Sequence, residues 1–425
     1  MGAGSSHPTP PAELSRNCTA QPWTPGCRPT AERLGLAALS AAYRAQFDRA
    51  VATPSRARYL VISTGGGFGN QMAEVVTLTL AALLTDRLLV NLPNLSRWAT
   101  LTGEPERHSF DMRRYFLSSA FPYHGSPSIL RAIADAERGI GTMSHGVLPC
   151  PACPRIAPDE AALLAALSSR NGAQVLRLVD FDLGKGARYT VEAPSRVRAL
   201  LKAARSRALP RVRALPRHAD EGMHDMLWQL LLEPTPRVLR QLSAYSMPLS
   251  GEALSVHVRS GDAAMLAGQM TTPKLASSWS QGNKCGLEVR DAGQVEALLQ
   301  CIERLADGAK IFLATDYAPL VPQAASRFGT QMLPPTPGEP RHTFRPMDKV
   351  GSGNASASQD AVDDPHMKQM LDFVLLASSP KLMLTCGSYG EGARAFSHVV
   401  KTVVHYSSSH GCPTSATAQR NASTK

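Results

Sequence analysis

The sequence predicts an α/β protein in which helices flank a parallel β-sheet. Short apolar runs, such as residues 59–63 and 310–314, alternate along the chain with longer segments rich in Ala and Leu, such as residues 72–85. Strands that alternate with helices in this way usually lie side by side and parallel. The chain has 425 residues, of which 43% are hydrophobic, so it is long enough for two such domains.

The first half of the chain contains short apolar runs that are typical of buried strands. The predicted strands are 59–63, 88–90 and 174–179. A helix is expected over residues 72–85, after the first strand and a glycine-rich turn, and a Leu-rich helix around residues 224–232. Pro234 and Pro236 then indicate a domain boundary, because proline interrupts regular structure.

The second half shows the same alternation more clearly. The predicted strands are 254–258, 310–314 and 381–385, and the predicted helices are 292–305, 320–327, 363–377 and a last one from about residue 392. Residues 333–360 are rich in Pro, Gly and Ser and predict a surface insertion. There are no internal repeats.

These elements divide the chain into four parts. The predicted parts are an N-terminal stalk or extension over 1–58 with one short Ala-rich helix around 31–50, a first domain over 59–235, a second domain over 236–405, and a tail over 406–425. The tail is rich in Ser and Thr, a composition that predicts disorder.

The glycine-rich turn at residues 65–69 is the most distinctive motif. It follows the first strand, precedes the first helix and continues into Asn70 and Gln71. A strand, a tight turn and a helix place backbone N–H groups where a phosphate or a sugar can approach. The turn does not match the dinucleotide fingerprint, whose third glycine would fall at Asn70, and no Gly-Lys-Ser/Thr of a P-loop follows. A tight turn without a ligand is the alternative.

The chain has a net charge of +11, and its basic residues are concentrated in one segment. Eight Arg and Lys residues occur between 196 and 217, and no acidic residue follows before Asp220. Nucleic-acid binding would call for interleaved aromatic residues or a known binding module, and neither is present. A solvated helical face and a contact with an anionic polymer both remain open.

The eight cysteines permit disulfides if the protein resides in a secretory compartment. Cys150 and Cys153 form a lone C-x-x-C without the second pair that a structural zinc site needs, so a disulfide-bonded loop is favoured there. Cys18 and Cys27 are candidates for another loop. The sequence has neither an apolar run long enough to span a membrane nor the apolar core of a signal peptide. Glycosylation sequons begin at Asn17, Asn94, Asn354 and Asn421.

Ligands of open parallel sheets bind at the carboxyl ends of the strands. Four loops at predicted strand ends carry distinctive polar residues, namely 65–71, 259–262, 315–316 and 386–390. Arg259 offers a guanidinium that can contact a diphosphate through two donors. Ser388 offers a hydroxyl and neighbouring main-chain donors.

Four segments in this order resemble the superfamily of fucosyltransferases that use GDP-fucose, which includes the α1,2-, α1,6- and protein O-fucosyltransferases and the plant xyloglucan enzymes. The segments are Gly-Phe-Gly-Asn-Gln at 67–71, His-Val-Arg-Ser-Gly-Asp at 257–262, Phe-Leu-Ala-Thr-Asp at 312–316, and the helix, strand and serine turn over 372–390. The resemblance implies a GT-B architecture, with two Rossmann-like domains facing across a cleft. It also implies inverting transfer of fucose, usually without a metal.

The resemblance further implies roles for individual residues. Arg259 would hold the donor pyrophosphate and neutralise charge on the leaving GDP. Asp262 and Asn70 would join it in catalysis. The implied donor-binding residues are Gly66, Gly67, Phe68, Gly69, His257, Arg259, Thr315, Asp316, Ser388, Tyr389 and Gly390. A nucleotide-sugar donor and a glycan or glycoprotein acceptor are the expected partners, and the Golgi or another secretory lumen is the expected location.

Three departures from the family pattern limit the resemblance. The second arginine of the H-x-R-R segment is Ser260 here, and the usual anchor helix is absent. The general base is unassigned: His257, Asp262 and Glu74 are candidates, although His257 can equally be a core residue and Glu74 can face solvent. A dissociative step without a well-placed base is a further option.

Structural alternatives exist for several of these residues. Arg259 can form a salt bridge to Asp262 or contact a helix end, and Asp316 can cap the following helix. Asp372 is expected to be structural, and Tyr389 can pack rather than stack on a ligand. At the level of the whole protein, two rival functions remain: a transferase with another nucleotide-sugar donor, and a degenerate transferase that binds a glycan or a partner.

Overall fold

The structure is a computed structural model, and it has two parallel sheets with helices around them. The residues that it describes are 23, 27–63, 68–92, 112–138, 146–148, 160–168, 175–178, 188–216, 219–243, 245, 253–259, 291–338, 364, 366–385, 387–407 and 411–412.

The first sheet is built from the first half of the chain. Its strands are β1 (Tyr59–Ser63), β2 (Leu88–Leu92), β4 (Gly146–Leu148) and β5 (Val175–Leu178), with β3 (Phe116–Leu117) outside it. The strand order is β2-β1-β5-β4, and all three pairings are parallel. Tyr59, for example, is aligned with Leu88 on one side and with Val175 on the other. The predicted parallel sheet is therefore confirmed for this half.

The helices of the first half surround this sheet. They are α1 (Ala37–Ala52), α2 (Phe68–Leu84), α3 (Pro127–Arg138), α4 (Glu160–Ser168), α5 (Arg188–Ser206) and α6 (Ala219–Leu231). The stretch predicted only as Arg-rich is thus largely helical: α5 covers its first part, and a short 3₁₀ helix, Pro210–Ala214, covers the second.

The second sheet is built from the second half of the chain. After β6 (Glu233–Pro234) and helix α7 (Pro236–Leu242), its strands are β7 (Ala253–Val258), β8 (Lys310–Thr315), β9 (Lys381–Leu384) and β10 (Thr402–His405). The order is β10-β9-β7-β8 and every pairing is parallel. Strand β10 was not predicted, whereas the other three lie within one residue of the predicted limits. The two-sheet α/β architecture is confirmed.

The helices of the second half are α8 (Ala292–Ala306), α9 (Leu320–Phe328), α10 (Met367–Leu376) and α11 (Ser388–Phe396). Helix α11 begins four residues before its predicted start. Ser388 and Gly390 therefore lie in the first helical turn and not in an extended loop. None of the described helices is both long and apolar enough to cross a membrane.

Helix α2 lies at the centre of the molecule. Every residue of it except Asn70 is buried, because it packs against the first sheet and also against α5, α6 and α11. A helix that is apolar on all sides is expected to be enclosed on all sides. Glu74 is buried here, so the alternative that it faces solvent is wrong.

Arg87 lies three residues after the end of α2 and directly before β2, and it is fully buried. Its guanidinium donates to the carbonyl oxygens of Leu167 at 3.0 Å and Tyr59 at 3.2 Å. Burial lowers the pKa of Arg87 to about 10, and nearby Arg58 contributes. This cation thus holds α4 against β1 and has a structural role.

The N-terminal extension is not a stalk over the residues that the structure describes. Leu36, Leu39 and Tyr43 of this region are buried in the core. Trp23 stacks on Phe396 with ring centroids 4.3 Å apart and donates to the Ser378 hydroxyl at 2.7 Å. The extension therefore joins the hydrophobic core, which a stalk prediction based on proline content did not anticipate. Cys27 is disulfide-bonded.

The start of the C-terminal tail is also ordered, contrary to the prediction for 406–425. Tyr406 is buried, and Cys412 forms a disulfide with Cys301 of α8. Residues 413–425 lie outside the described part of the chain, as do Cys150, Cys153 and most of the predicted insertion. At the start of that insertion, Leu333 and Thr336 are buried, so the surface insertion does not begin at 333.

The Cys301–Cys412 disulfide is expected to stabilise the second half substantially. It closes a loop with a sequence separation of 111 residues, and a cross-link mainly reduces the entropy of the unfolded chain. Replacing both cysteines by Ser should lower the free energy of unfolding by about 2–4 kcal/mol, measured by urea denaturation. The comparison is made under oxidising conditions, in which the disulfide of the wild type stays intact. A difference in the free energy of unfolding below about 0.5 kcal/mol would contradict the expectation.

Candidate active site

The candidate site lies at the carboxyl ends of β7, β8 and β9, where an open parallel sheet usually binds its ligand. Arg259 follows β7, Asp316 follows β8, and Thr385 follows β9. Because β7 pairs with both β8 and β9, the three strand ends are adjacent. The structure thus brings together three loops that are far apart in sequence.

The main chain of Arg259 is fixed by Thr385. The Arg259 N–H donates to the Thr385 hydroxyl oxygen at 2.8 Å, and the Thr385 N–H donates to the His257 carbonyl at 3.1 Å. The stem of Arg259 lies beside Gly387: a Cβ added to that glycine would be 3.8 Å from Arg259 Cγ. Gly387 has a φ of +100°, a conformation that favours glycine.

Asp316 is the acidic neighbour of Arg259. Its Oδ2 lies 3.4 Å from Arg259 Nε, and the two side chains are 9% and 23% exposed. Asp316 does not cap the next helix, since the N-cap of α9 is Pro319. The Thr315 hydroxyl accepts from the Tyr317 N–H at 3.0 Å. The pairing of Arg259 with Asp316 was not among the alternatives, and Asp262, the acid named for it, lies outside the described residues. The proximity of Thr315 and Asp316 to a guanosine stays a prediction.

Two helix N-termini meet beside Arg259. Helix α2 begins at Phe68 and α11 begins at Ser388, and their first turns are in direct contact. A Cβ added to Gly69 would lie 2.4 Å from the carbonyl carbon and oxygen of Ser388, which only glycine avoids. The N-terminal ends of helices carry a partial positive charge and free N–H groups. Together with the guanidinium they form a site suited to an anion.

Asn70 is the third residue of α2 and the one member of that helix that is not buried as a whole. Its side-chain oxygen is nevertheless enclosed, and it has no hydrogen-bond partner in the described part of the chain. Buried polar atoms are nearly always paired in folded proteins. This oxygen is accordingly an acceptor suited to a ligand hydroxyl.

His257 lies on β7 beneath the first turn of α11. A Cβ added to Gly390 would be 2.8 Å from His257 Nδ1, and the imidazole lies 5.3 Å from the Tyr389 ring. Burial, and secondarily the charge of Arg259, lower the pKa of His257 to about 3. The ring is therefore neutral at physiological pH and poorly suited to accept a proton as general base.

The side chains of Phe68 and Tyr389 face the core. Phe68 stacks on Phe116 at 5.7 Å and meets Phe373 edge-on at 4.9 Å. The Tyr389 hydroxyl donates to the carbonyl of Gln369, and burial raises its pKa well above the usual value. Tyr389 thus packs, and a ligand at this site would meet the main chain of both residues and not their rings.

The remaining predicted residues are placed as follows. Gly69, Ser388 and Gly390 lie in the two contacting helical turns. Gly66, Gly67 and Asp262 lie outside the described residues, so their roles stay predictions. Asp372 is structural in its contacts: it pairs with Lys368 at 3.0 Å and accepts from the Thr336 hydroxyl.

Sequence reasoning missed two contributors to the site. Thr385 fixes the main chain of Arg259, and the positive φ of Gly387 makes room for its stem. Thr385 at the end of a predicted strand and Gly387 in the loop that leads to Ser388 are a detectable signal. It can be interpreted only once the strand that pairs with this one is known. Among the described residues no group of three His, Cys, Asp or Glu side chains is arranged to hold a metal ion.

Comparison with known proteins finds similarity at the level of structure. No protein-family profile and no curated protein sequence matches the chain. Similar solved structures are fucosyltransferases. NodZ α-1,6-fucosyltransferase from Bradyrhizobium, soaked with GDP-fucose, is 13% identical, with 84% of this chain and 97% of that chain covered and a TM-score of 0.44.

Two further structures show similarity of the same order. A mutant of FUT1 from Arabidopsis thaliana in complex with GDP is 12% identical, with 96% of this chain and 87% of that chain covered and a TM-score of 0.46. POFUT1 in complex with GDP-fucose is 12% identical, with 82% and 97% covered and a TM-score of 0.41.

Replacing Gly69 by Ala should separate the first turns of α2 and α11. The added methyl group would overlap main-chain atoms of Ser388 that cannot rotate away, so the free energy of unfolding should fall by about 1–3 kcal/mol. Gly222→Ala is the matched control, because Gly222 also lies in a helix but faces only the flexible end of Met226. The control should be neutral or stabilising by up to about 1 kcal/mol. Equal effects in urea denaturation would contradict the proposed contact.

The buried His257 should make stability depend on pH. The unfolded chain binds a proton at His257 near pH 6.5, whereas the folded chain binds it only near pH 3. Stability is therefore present above about pH 6.5 and is lost as pH falls, by about 1.4 kcal/mol per pH unit. His257→Gln should reduce the measured slope between pH 6 and 4 by that amount. The control Leu384→Ala should lower stability at every pH and leave the slope unchanged.

Proposed function

We propose that this chain is a glycosyltransferase that transfers L-fucose, with inversion, from GDP-β-L-fucose to a hydroxyl group of a glycan or glycoprotein. The observation that carries the proposal is the position of Arg259, whose main chain is held by Thr385 at 2.8 Å beside the converging N-termini of α2 and α11. The order of the motifs around this site and the fucosyltransferase-like sequence segments support the choice of donor.

The electrostatics of the site suit a nucleotide diphosphate. A guanidinium can contact two phosphate oxygens at once, and two helix N-termini add main-chain donors and partial positive charge. Asp316 pairs with Arg259 through Nε. Since a guanidinium has five N–H donors, this pairing orients the group and is compatible with phosphate contacts through Nη1 and Nη2.

In the proposed reaction an acceptor oxygen forms a bond to the anomeric carbon of fucose. The bond from that carbon to the β-phosphate oxygen breaks on the opposite face, and GDP leaves with the bonding electron pair. Negative charge on the leaving phosphate increases in the transition state. A preorganised cation therefore stabilises the transition state more than the bound substrate, and this difference accelerates the step. Arg259 has this role in the proposal.

The acceptor hydroxyl must also lose its proton. His257 is ill suited to accept it, because its pKa is about 3, and Asn70 has no basic group. Glu74 is buried within α2. Asp262, in the segment after Arg259, remains our proposal for the base. Asn70 is proposed to accept a hydrogen bond from a hydroxyl of the sugar through its enclosed side-chain oxygen.

The proposal extends to cofactor and location. Because Arg259 and the helix ends supply positive charge to the phosphates, we propose that transfer needs no divalent metal. The disulfide between Cys301 and Cys412 favours an oxidising compartment, so we propose the Golgi or another secretory lumen. The acceptor would enter from the side of the first sheet, opposite the strands that carry Arg259.

Titration with GDP should reveal the donor site directly. We expect GDP to bind more tightly than UDP or ADP in calorimetry, with EDTA present. Arg259→Ala should weaken GDP binding about 10- to 100-fold, because charge-assisted hydrogen bonds are worth about 1.5–3 kcal/mol. Arg259→Lys should recover only part of the loss, since an ammonium group lacks the bidentate geometry. Transfer from GDP-fucose should fall further than binding, by about 10²–10³ in kcat.

The control for this titration is Arg304→Ala, an exposed cation on α8, which should bind GDP as the wild type does. Equal binding of the three nucleotides, or unchanged GDP binding by Arg259→Ala, would contradict the donor assignment. Selective GDP binding without transfer to any acceptor of a glycan panel would instead support a binding module, and a metal requirement would contradict the metal-independent mechanism.

A further inference from the structure

The cations of the Arg-rich segment divide into two groups. Three of them are paired with acidic residues: Arg196 with Glu160 at 2.9 Å, Arg205 with Asp220 at 2.6 Å, and Arg211 with Asp86. Arg211 also donates to the Gln46 side chain at 2.9 Å. These three pairs connect α5 and the following 3₁₀ helix to neighbouring elements, so their role is structural.

The second group is exposed and has no acidic partner in the part of the chain that the structure describes. Arg198, Lys202, Arg207 and Arg213 are all exposed, and none forms an ion pair with a described residue. Residues 193–216 include no acidic residue that could offset them. We call these four residues the basic end. Arg198 and Lys202 are four positions apart on α5, which places their Cβ atoms about 6 Å apart on one face.

The part of the basic end formed by Arg207 and Arg213 is remote from the candidate active site. Arg211, which lies between Arg207 and Arg213, contacts Asp86 just beyond the last residue of α2. The active site is at the first residue of the same helix, Phe68. Since α2 has 17 residues, its two ends are about 25 Å apart. A ligand at Arg207 and Arg213 would therefore not occupy the donor site.

We propose that the basic end binds a linear acidic polysaccharide. Carboxylate and sulfate groups carry the charge opposite to that of a guanidinium. Two of their oxygens can accept from its forked pair of N–H donors. Cations spread along a helix and the turn that follows it suit a polymer with charges along its length better than a compact ligand. The uncompensated charge also increases the local concentration of a polyanion, in a way that salt screens.

Two other polyanions fit this surface less well. A basic surface binds a membrane more strongly when apolar side chains beside it enter the bilayer. Among the described residues, the exposed large hydrophobic side chains are Val51 and Leu117, and neither belongs to the Arg-rich segment. Binding of single-stranded nucleic acid relies on aromatic side chains that stack on bases. Residues 193–216, which carry the basic end, include no aromatic residue.

The test uses the full-length protein and compares two triple variants with the same change in charge. The first replaces Lys202, Arg207 and Arg213 by Gln. The control replaces Lys401, Arg240 and Arg304 by Gln, three exposed cations of the second half. Binding to heparin, polygalacturonate and neutral dextran is measured at 50 and 200 mM NaCl. Vesicles with phosphatidylserine and a single-stranded DNA 20-mer are the competing probes. GDP titration and thermal unfolding verify that each variant is intact.

We expect the wild type and the control to bind heparin or polygalacturonate, more weakly at the higher salt concentration, and not dextran. The first variant should bind about tenfold more weakly, since three exposed charge contacts are lost, with unchanged GDP binding. The proposal is overturned if neither acidic polysaccharide binds the wild type, or if both variants lose equal affinity. It is also overturned if vesicles or DNA bind more tightly through the same three residues.

Discussion

The contact between Gly69 and Ser388 is the constraint on which the site depends. It places the first turn of α2 against the first turn of α11, although the two helices belong to different sheets, and a Cβ at Gly69 would be only 2.4 Å from Ser388 main-chain atoms. Because main-chain atoms cannot move independently of their helix, a larger residue would displace one whole helix. The positive ends of two helices thereby converge on one point, next to Arg259.

The core behind this contact explains why it is maintained. Phe68 precedes Gly69 and packs against Phe373 of α10, whose ring also lies 5.3 Å from Phe396 of α11. Trp23 extends this aromatic cluster by stacking on Phe396. Aromatic side chains contribute large buried areas, so the cluster holds both helices in place from the side opposite the candidate site. Main-chain groups, Asn70 and Arg259 are left to line that site.

The sequence predicted those features that depend on local periodicity and missed those that depend on distant partners. Strands such as 254–258 and helices such as 292–305 were placed to within about one residue, because short apolar runs and helical spacing are local signals. The start of α11 was missed because Gly387 with φ +100° begins a helix where composition indicates a loop. For the N-terminal extension, proline content predicts a stalk, because the stacking of Trp23 on Phe396 joins residues far apart in the chain and leaves no local signal. Arg259 was found from its motif, but its support by Thr385 depends on the pairing of β7 with β9.

The two ends of α2 carry opposite partial charges and differ in what they contact. At its C-terminal end, where a helix carries partial negative charge, Arg211 pairs with Asp86 and Gln46, so this cation stabilises the fold. At its N-terminal end the partial positive charge adds to that of Arg259 and is available to an anionic ligand. The same helix dipole thus accounts for a structural cation at one end and for anion binding at the other. The exposed cations of the basic end are not explained by this electrostatic balance, because their side chains neither pair with described acids nor pack in the core. Their charge is what our proposed contact with an acidic polysaccharide rests on.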